Sequence, residues 1–419
     1  MPDASASLRL LFATRIARML AYGILGVVLV LYLAERGFDE ARIGLLLTLT
    51  LLGDAALSLA LSTRADRWGR RRTLVAGAVL MGLGGTVMAL TGDFALLLVA
   101  ATIGVISPTG GEVGPFLAVE QAGVAQVVPD RDRTRIFAWY NVAGYAATAV
   151  GALISGGLAE VLQGAGWTRL ASYQAMFGLY AALAVAVGVL SACAGRGVEA
   201  PAAAGRKSTG PVAALTGLHD SRGLVLRLAG LFSLDAFAGG FIVQSFLVYW
   251  FHLRFGAGEA ALGGVFFGAN LLSGLSALAA VPLARRIGLV NTMVWTHLPS
   301  NVLLMLVPLM PSFATAVAML LLRHAISQMD VPTRQSYVNA VVAPGERAAA
   351  NGVTGTARQL GAALAPVVAG PLVGSAAFAA APFFISGGLK IAYDLLLWRS
   401  FRAVRPPEER PAPPADQRR

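Results

Sequence analysis

Residues 62–74, STRADRWGRRRTL, form a short and strongly basic break between two long apolar runs, residues 42–63 and 73–91. A helix needs about 20 mostly apolar residues to cross a bilayer core. Each flanking run is long enough, and the break is too short to fold as a domain. The stretch therefore predicts a loop at a membrane surface that joins two transmembrane helices.

The composition of the whole chain is typical of a membrane protein. Apolar residues make up 56% of the 419 residues and charged residues 13%, against roughly 45–50% and about 25% in soluble domains. The basic residues behind the net charge of +11 lie in short loops and the tail, so we expect no nucleic-acid partner. Cys193 is the single cysteine, which excludes an intrachain disulfide. Arg15 and Arg18 interrupt the apolar core of a cleavable signal, so we expect a retained first helix.

Apolar runs and polar breaks alternate along the chain and predict about twelve spans. The predicted spans are residues 9–33, 42–63, 73–91, 94–126, 134–161, 168–193, 223–251, 258–283, 289–310, 312–342, 349–373 and 376–398. Lys and Arg concentrate in alternate short loops and in the tail. By the positive-inside rule, those loops and both termini are expected in the cytoplasm.

One long polar segment divides the spans into six and six. The predicted organisation is an N-terminal six-helix bundle at residues 1–193, a cytoplasmic linker at 194–222, a C-terminal six-helix bundle at 223–400 and a disordered cytoplasmic tail at 401–419. The halves resemble each other at an offset of roughly 214–220 residues. ADRWG recurs as ARRIG, Asp132-Arg133 as Glu346-Arg347, and Gln121 as Gln335. These matches keep their order and spacing, which favours a duplicated architecture.

Residues 62–74 resemble the loop signature of the major facilitator superfamily, G-x-L-a-D-r-x-G-r-k-x-x-l, at Asp66, Arg67, Gly69, Arg70, Arg71 and Leu74. Ser62 and Arg64 depart from it. The resemblance implies an all-α membrane protein with twelve transmembrane helices in two six-helix pseudo-symmetric bundles around a central cavity. It also implies a cytoplasmic gate formed by Asp66, Arg67, Gly69, Arg70 and Arg71. The alternative for this charged loop is a topology signal that contacts anionic lipid headgroups.

Ionisable residues inside spans are costly and usually face a partner or a cavity. Those predicted within spans are Arg15, Arg18, Asp54, Glu112, Glu120, Asp235, Arg323, Asp330, Arg334, Arg358, Lys390 and Asp394. By depth, Arg15 or Arg18 could pair with Asp54, and Lys390 could pair with Asp394 four residues later. Asp54 and Asp235 are the candidate proton carriers, and a structural ion pair is the alternative for Asp54.

Spans four and ten combine helix-breaking residues with charges. Span four contains Ser107-Pro-Thr-Gly-Gly111, and span ten contains Pro332. Irregular backbone at membrane depth is tolerated where it lines a cavity, and the resemblance implies that spans one, four, seven and ten line one. The expected substrate pathway is Arg18, Glu112, Glu120, Gln121, Gln244, Asp330, Arg334 and Gln335. Glu120 and Arg334 could meet as a gate in the outward-facing state, and a polar inter-helix network is the alternative.

The sequence favours a secondary active transporter that moves a small solute by alternating access. It does not favour an enzyme. No nucleotide-binding loop is present, and we expect no cofactor and no metal. The leading hypothesis is proton-coupled efflux of an organic compound by antiport, from a monomer in the cell inner (plasma) membrane. Uptake or export of a small anionic solute is the alternative. A lipid flippase or scramblase and a membrane sensor are alternatives of another class.

Overall fold

The structure is a computed structural model that describes residues 2–194, 199, 221–343, 346–404 and 406. Within these ranges only the backbone is described at residues 2–5, 63, 66, 67, 125, 130–134 and 348. Most of the predicted linker and tail therefore lies outside the described residues. The described part is built from α-helices and contains no strand.

Sixteen α-helices follow one another in the described part of the chain. They are α1 Pro2–Glu35, α2 Glu40–Trp68, α3 Arg70–Leu90, α4 Phe94–Ile103, α5 Phe116–Val127, α6 Asp130–Gly164, α7 Arg169–Ala192, α8 Arg222–Gly240, α9 Gln244–Phe255, α10 Glu259–Ile287, α11 Leu289–Leu306, α12 Phe313–Ser327, α13 Asp330–Val341, α14 Arg347–Leu364, α15 Pro366–Gly374 and α16 Ala381–Phe401. A short 3₁₀ turn, Val307–Leu309, extends α11.

Eight helical stretches in the described residues are long and apolar enough to cross a bilayer. They are Ala6–Glu35, Glu40–Ser62, Arg70–Leu90, Arg135–Gly164, Arg169–Ala192, Arg222–Phe255, Glu259–Ile287 and Leu289–Leu309. Each coincides with a predicted span. Membrane-spanning helices without water around them must satisfy their own backbone hydrogen bonds, which is why the apolar runs fold as helices.

Four predicted spans are divided in the structure. Span four becomes α4 and α5 with residues 104–115 irregular between them, and span ten becomes α12 and α13. The helix-breaking residues of these two spans predicted such interruptions. Spans seven and eleven are also divided, into α8 and α9 and into α14 and α15, although no interruption was predicted there.

The loop of residues 62–74 and its repeat share a backbone feature. Gly69 has φ 108° between α2 and α3, and Gly288 has φ 87° between α10 and α11. Residues other than glycine are strained at such positive φ angles. Both glycines also close the preceding helix, since the Gly69 N–H donates to Ala65 and the Gly288 N–H donates to Ala284. The repeat seen in sequence is therefore also a repeat in conformation.

Two close helix crossings occur where α2 and α10 begin, and we call this end of the molecule the far end. The opposite end, at Gly69 and Gly288, is the motif end. At one crossing α15 packs on α2, and at the other α6 packs on α10. Each crossing brings glycine onto glycine: a Cβ on Gly370 would lie 3.0 Å from the Cα of Gly44, and a Cβ on Gly156 would lie 3.0 Å from the Cα of Gly263. Small residues permit such close approach.

At each far-end crossing a glutamate accepts a hydrogen bond from a tyrosine hydroxyl. The Tyr249 hydroxyl on α9 donates to Glu40 at 2.9 Å. The Tyr173 hydroxyl on α7 donates to Glu259 at 2.5 Å. Glu40 and Glu259 each open their helix four residues before the crossing glycine. We call these two crossings, each with its hydrogen-bonded glutamate, the two seals of the far end.

Candidate functional site

A first cluster of buried charges centres on Arg18 of α1. Its guanidinium forms an ion pair with Glu112 and, at 2.5 Å, with Glu120. Arg18 and Glu120 are both 0% exposed, so neither charge is solvated by bulk water. A buried charge is tolerated when it is paired and hydrogen-bonded. Glu112 lies within the irregular segment of span four and Glu120 lies on α5, so both parts of the span hold Arg18 in place.

Neighbouring side chains complete this first cluster. Arg15 lies 2.5 Å from Glu112 and stacks over the ring of Tyr140 at 4.2 Å from the centroid. The Tyr140 hydroxyl donates to Glu120, and the Thr14 hydroxyl donates to the same carboxylate at 3.1 Å. Every oxygen of Glu120 is therefore engaged, and Tyr140 was not among the residues predicted from sequence.

Asp54 lies apart from these arginines, and its predicted pairing with Arg15 or Arg18 is wrong. It accepts hydrogen bonds from the Gly114 N–H and from the Ser58 hydroxyl, the latter at 3.4 Å. The cause is the irregular segment 104–115, in which Gly110 and Gly114 have positive φ. This segment turns one backbone N–H toward Asp54 and carries Glu112 to the arginines instead.

A second cluster of buried charges centres on Asp235 of α8. Lys390 of α16 lies 2.6 Å from its carboxylate, and Arg334 of α13 lies 3.3 Å from it. Arg334 also pairs with Asp330 at 3.0 Å, one helical turn away. Asp235, Asp330 and Arg334 are all buried. The second half thus has its own charge cluster, built from three helices.

The predicted Lys390–Asp394 pair is wrong. Asp394 instead contacts His297 of α11 at 2.9 Å and accepts a hydrogen bond from Asn301 at 3.0 Å. The i,i+4 rule considers one helix alone. Here partners on α8 and α11 are closer, because α16 packs on both.

The predicted contact between Glu120 and Arg334 is absent in this conformation. Each is bound within its own cluster, Glu120 to Arg18 and Arg334 to Asp235 and Asp330. Of the other predicted pathway residues, Gln244 is buried and accepts from Asn270 at 3.3 Å.

A cavity of about 400 Å³ lies beside the second cluster, whose Arg334 lines it. Three of the predicted pathway residues line it: Gln121, Arg334 and Gln335. Gln335 and Asn351, which is also in the wall, are exposed toward the motif end. Arg358 of α14 lines the cavity as well, although from sequence it was expected only as an intramembrane charge. Among the described residues, Gln121 is thus the one lining residue from the first half, and the others come from the second half.

The predicted gate at residues 62–74 is described in part. The side chains of Asp66 and Arg67 lie outside the described part of the chain. The backbone N–H groups of Arg70 and Arg71 donate to Glu199 at 2.8 and 3.2 Å, and the Arg70 guanidinium donates to Gln126 at 2.7 Å. A carboxylate at a helix N-terminus is favourable, so the contact with Glu199 stabilises the N-terminus of α3.

The profile of the Major Facilitator Superfamily matches residues 11–366. The chain belongs to this superfamily. Its members are transporters of small solutes, so the chain is a secondary transporter and not an enzyme. The sequence-based assignment is confirmed.

Similar proteins agree with this assignment. An uncharacterized membrane protein of Saccharomyces cerevisiae, YJR124C, is 31% identical over 96% of this chain and 95% of its own. A solved inward-facing, occupied bacterial homolog of the human lysosomal transporter Spinster has a TM-score of 0.74 at 15% identity, covering 97% of this chain and 99% of that one. The nucleoside transporter NupG, solved as a point mutant, has a TM-score of 0.74 at 16% identity and covers 94% and 100%. These structures show the same fold.

Proposed function

We propose that this superfamily member exports a small organic compound by proton-coupled antiport, using alternating access. The observation that carries the proposal is the placement of buried charges: each half contains one charge cluster, Arg334 of the second cluster lines a cavity whose wall also includes Gln121 of the first half, and two close helix crossings join the halves at the far end. An arrangement of paired charges around a shared cavity can be reorganised when a solute or proton binds.

The proposed membrane topology has twelve spans in two six-helix bundles, residues 1–193 and 223–400. The sixteen helices form twelve segments when the consecutive pairs α4–α5, α8–α9, α12–α13 and α14–α15 are each counted once. Basic loops at the motif end, such as residues 64–72 and 285–286, favour a cytoplasmic location for that end and for both termini. The described conformation would then be inward-facing, in a plasma membrane.

Asp54 is the better candidate for the proton carrier. Asp235 contacts Lys390 and Arg334, so its protonation would break two ion pairs. Asp54 contacts no cation among the described residues and is bound only by neutral donors. It also lies against the irregular segment 104–115, so a change in its charge acts directly on the segment that positions Glu112. We therefore assign the coupling role to Asp54.

The substitution Asp54→Asn should uncouple transport from the proton gradient. An amide keeps the hydrogen bonds of the site and cannot exchange a proton, so substrate exchange should persist while gradient-driven accumulation falls at least tenfold. Export substrates are first found by comparing cells with and without the protein on a panel of organic compounds. Flux of the compound identified is then measured in proteoliposomes with and without a pH gradient.

A matched control is Asp39→Asn, because Asp39 is an exposed cap of the same helix, α2. Asparagine caps helices as well as aspartate does, so this variant should transport normally. Full gradient-driven transport by Asp54→Asn would rule out Asp54 as the carrier.

A further inference from the structure

We propose that the cavity binds the oxyanion group of an organic anion, and that Arg358 and Arg334 form the binding site. The inference rests on the proposed transport function, because it names the chemical class of the solute. It is drawn from the charge balance of the two clusters, the environment of Arg358 and the chemistry of the cavity wall.

The charge balance differs between the two clusters. In the first cluster two arginines, Arg15 and Arg18, face two carboxylates, which are Glu112 and Glu120. In the second cluster Asp235 and Asp330 face four cations, which are Arg323, Arg334, Arg358 and Lys390. Asp394, bound to His297, adds one further carboxylate, and the cations of the second cluster still outnumber the carboxylates. The excess positive charge lies on the second-half side.

Arg358 is the member of the second cluster that faces the cavity without a carboxylate partner among the described residues. Its Nε is enclosed by protein and has no hydrogen-bond partner there. Its neighbour Arg334, by contrast, is held by Asp235 and Asp330. Arg358 is partly exposed as a whole, but leaving its enclosed Nε without a hydrogen-bond partner or counter-ion costs free energy, and a bound anion would reduce that cost.

The cavity wall suits an organic anion rather than an inorganic one. Guanidinium groups bind carboxylates and phosphates through paired, charge-assisted hydrogen bonds. Gln121 and Gln335 add neutral donors and acceptors, while Phe232 and Val338 add an apolar surface. The volume of about 400 Å³ falls in the range of small-molecule sites, roughly 300–1,000 Å³. The site therefore combines an anion-binding end with an apolar wall.

Binding of anionic probes to the purified full-length protein in detergent tests the inference. The probes are benzoate and phenyl phosphate, which separate a carboxylate from a phosphate preference, with benzyl alcohol as the neutral analogue of similar shape. We expect at least one anion to raise the thermal unfolding midpoint in a saturable way and the neutral analogue to leave it unchanged. Equal effects of all three probes, or no effect of either anion, would overturn the proposal.

Substitution of the arginine localises the site. Arg358→Gln should weaken anion binding about tenfold or more, the loss expected for hydrogen bonds to a charged group, and Arg358→Lys should weaken it less. The control Arg286→Gln removes the same charge from the exposed motif end of α10 and should leave binding unchanged. Unchanged binding in Arg358→Gln, or an equal loss in Arg286→Gln, would contradict the site.

Failure of this inference is distinguishable from failure of the proposed function. Anion binding that depends on Arg358, without flux of any anion in proteoliposomes, would leave the site standing and reject transport of anions by this route. Proton-coupled flux of a compound that Arg358→Gln carries as well as the unsubstituted protein would keep the transport function and reject the anion site.

Discussion

Replacing Gly156 with leucine should abolish transport while leaving the protein folded in the membrane. A Cβ on Gly156 would lie 2.2 Å from the carbonyl oxygen of Glu259, and a Cβ on Gly370 would lie 2.2 Å from that of Glu40. Both neighbours are backbone atoms, which move only with their helices. Leucine at position 156 therefore pushes α6 away from α10, and leucine at position 370 pushes α15 away from α2. In either case the far end can no longer close.

Gly157→Leu is the matched control. It is adjacent in sequence, yet a Cβ there meets no atom within 4 Å, so it should transport normally. Solute flux measures the function. Opening of the far end is measured, in a Cys193→Ser background, by the reaction of a membrane-impermeant maleimide with a cysteine at Thr48, which is buried at the crossing of α2 and α15. We expect Gly156→Leu to lose at least nine-tenths of flux and to react faster. Normal flux in Gly156→Leu and Gly370→Leu would show that the seals do not operate in transport.

Replacing Arg18 with glutamine should destabilise the protein more than any substitution of a surface charge. Arg18 is the shared partner of Glu112 and Glu120. Without it Glu120 loses its ion-pair partner in a buried site, while Glu112 keeps Arg15, and removing one partner of a buried ion pair typically costs about 3–5 kcal/mol. The unfolding midpoint in detergent should fall sharply, and less protein should reach the membrane.

Two comparisons separate charge from packing in this prediction. Arg42→Gln removes an arginine from an exposed pair with Asp39, and such pairs contribute about 0–1 kcal/mol. Glu120→Gln added to Arg18→Gln removes the carboxylate that was left without a cation and should recover part of the loss. An Arg18→Gln protein as stable as Arg42→Gln, or a double variant no more stable than Arg18→Gln, would contradict the assignment of Arg18 as the central counter-ion.

The order of apolar runs was sufficient to predict the helices and the family, because a bilayer permits few alternatives. The breaks in spans four and ten were also predictable, since proline and glycine interrupt helical hydrogen bonding at known places. The divisions at residues 241–243 and at Ala365 were missed, although Gly239-Gly240 precede the first and Pro366 follows the second. The existence of the helices was thus predictable, whereas their continuity was predicted only in part.

The partners of the buried charges were not predictable in the same way. Depth along the bilayer allowed Arg18 to meet Asp54, yet the turn of residues 104–115 delivers Glu112 to Arg18 and a backbone N–H to Asp54. Likewise Lys390 prefers Asp235 on another helix over Asp394 on its own. Depth and periodicity restrict where a side chain lies along and around its helix, whereas helix packing decides which candidate becomes the partner.

Paired spin-label distances at both ends of the molecule test alternating access most directly. In a Cys193→Ser background, one pair of labels at Arg42 and Phe378 reports on the far end, and one pair at Arg64 and Arg286 reports on the motif end. These four side chains are exposed. In reconstituted protein exposed to a pH change or to a transported compound, we predict that the far-end distance lengthens as the motif-end distance shortens. Distances that stay fixed at both ends, or that lengthen together, would contradict alternating access between two halves.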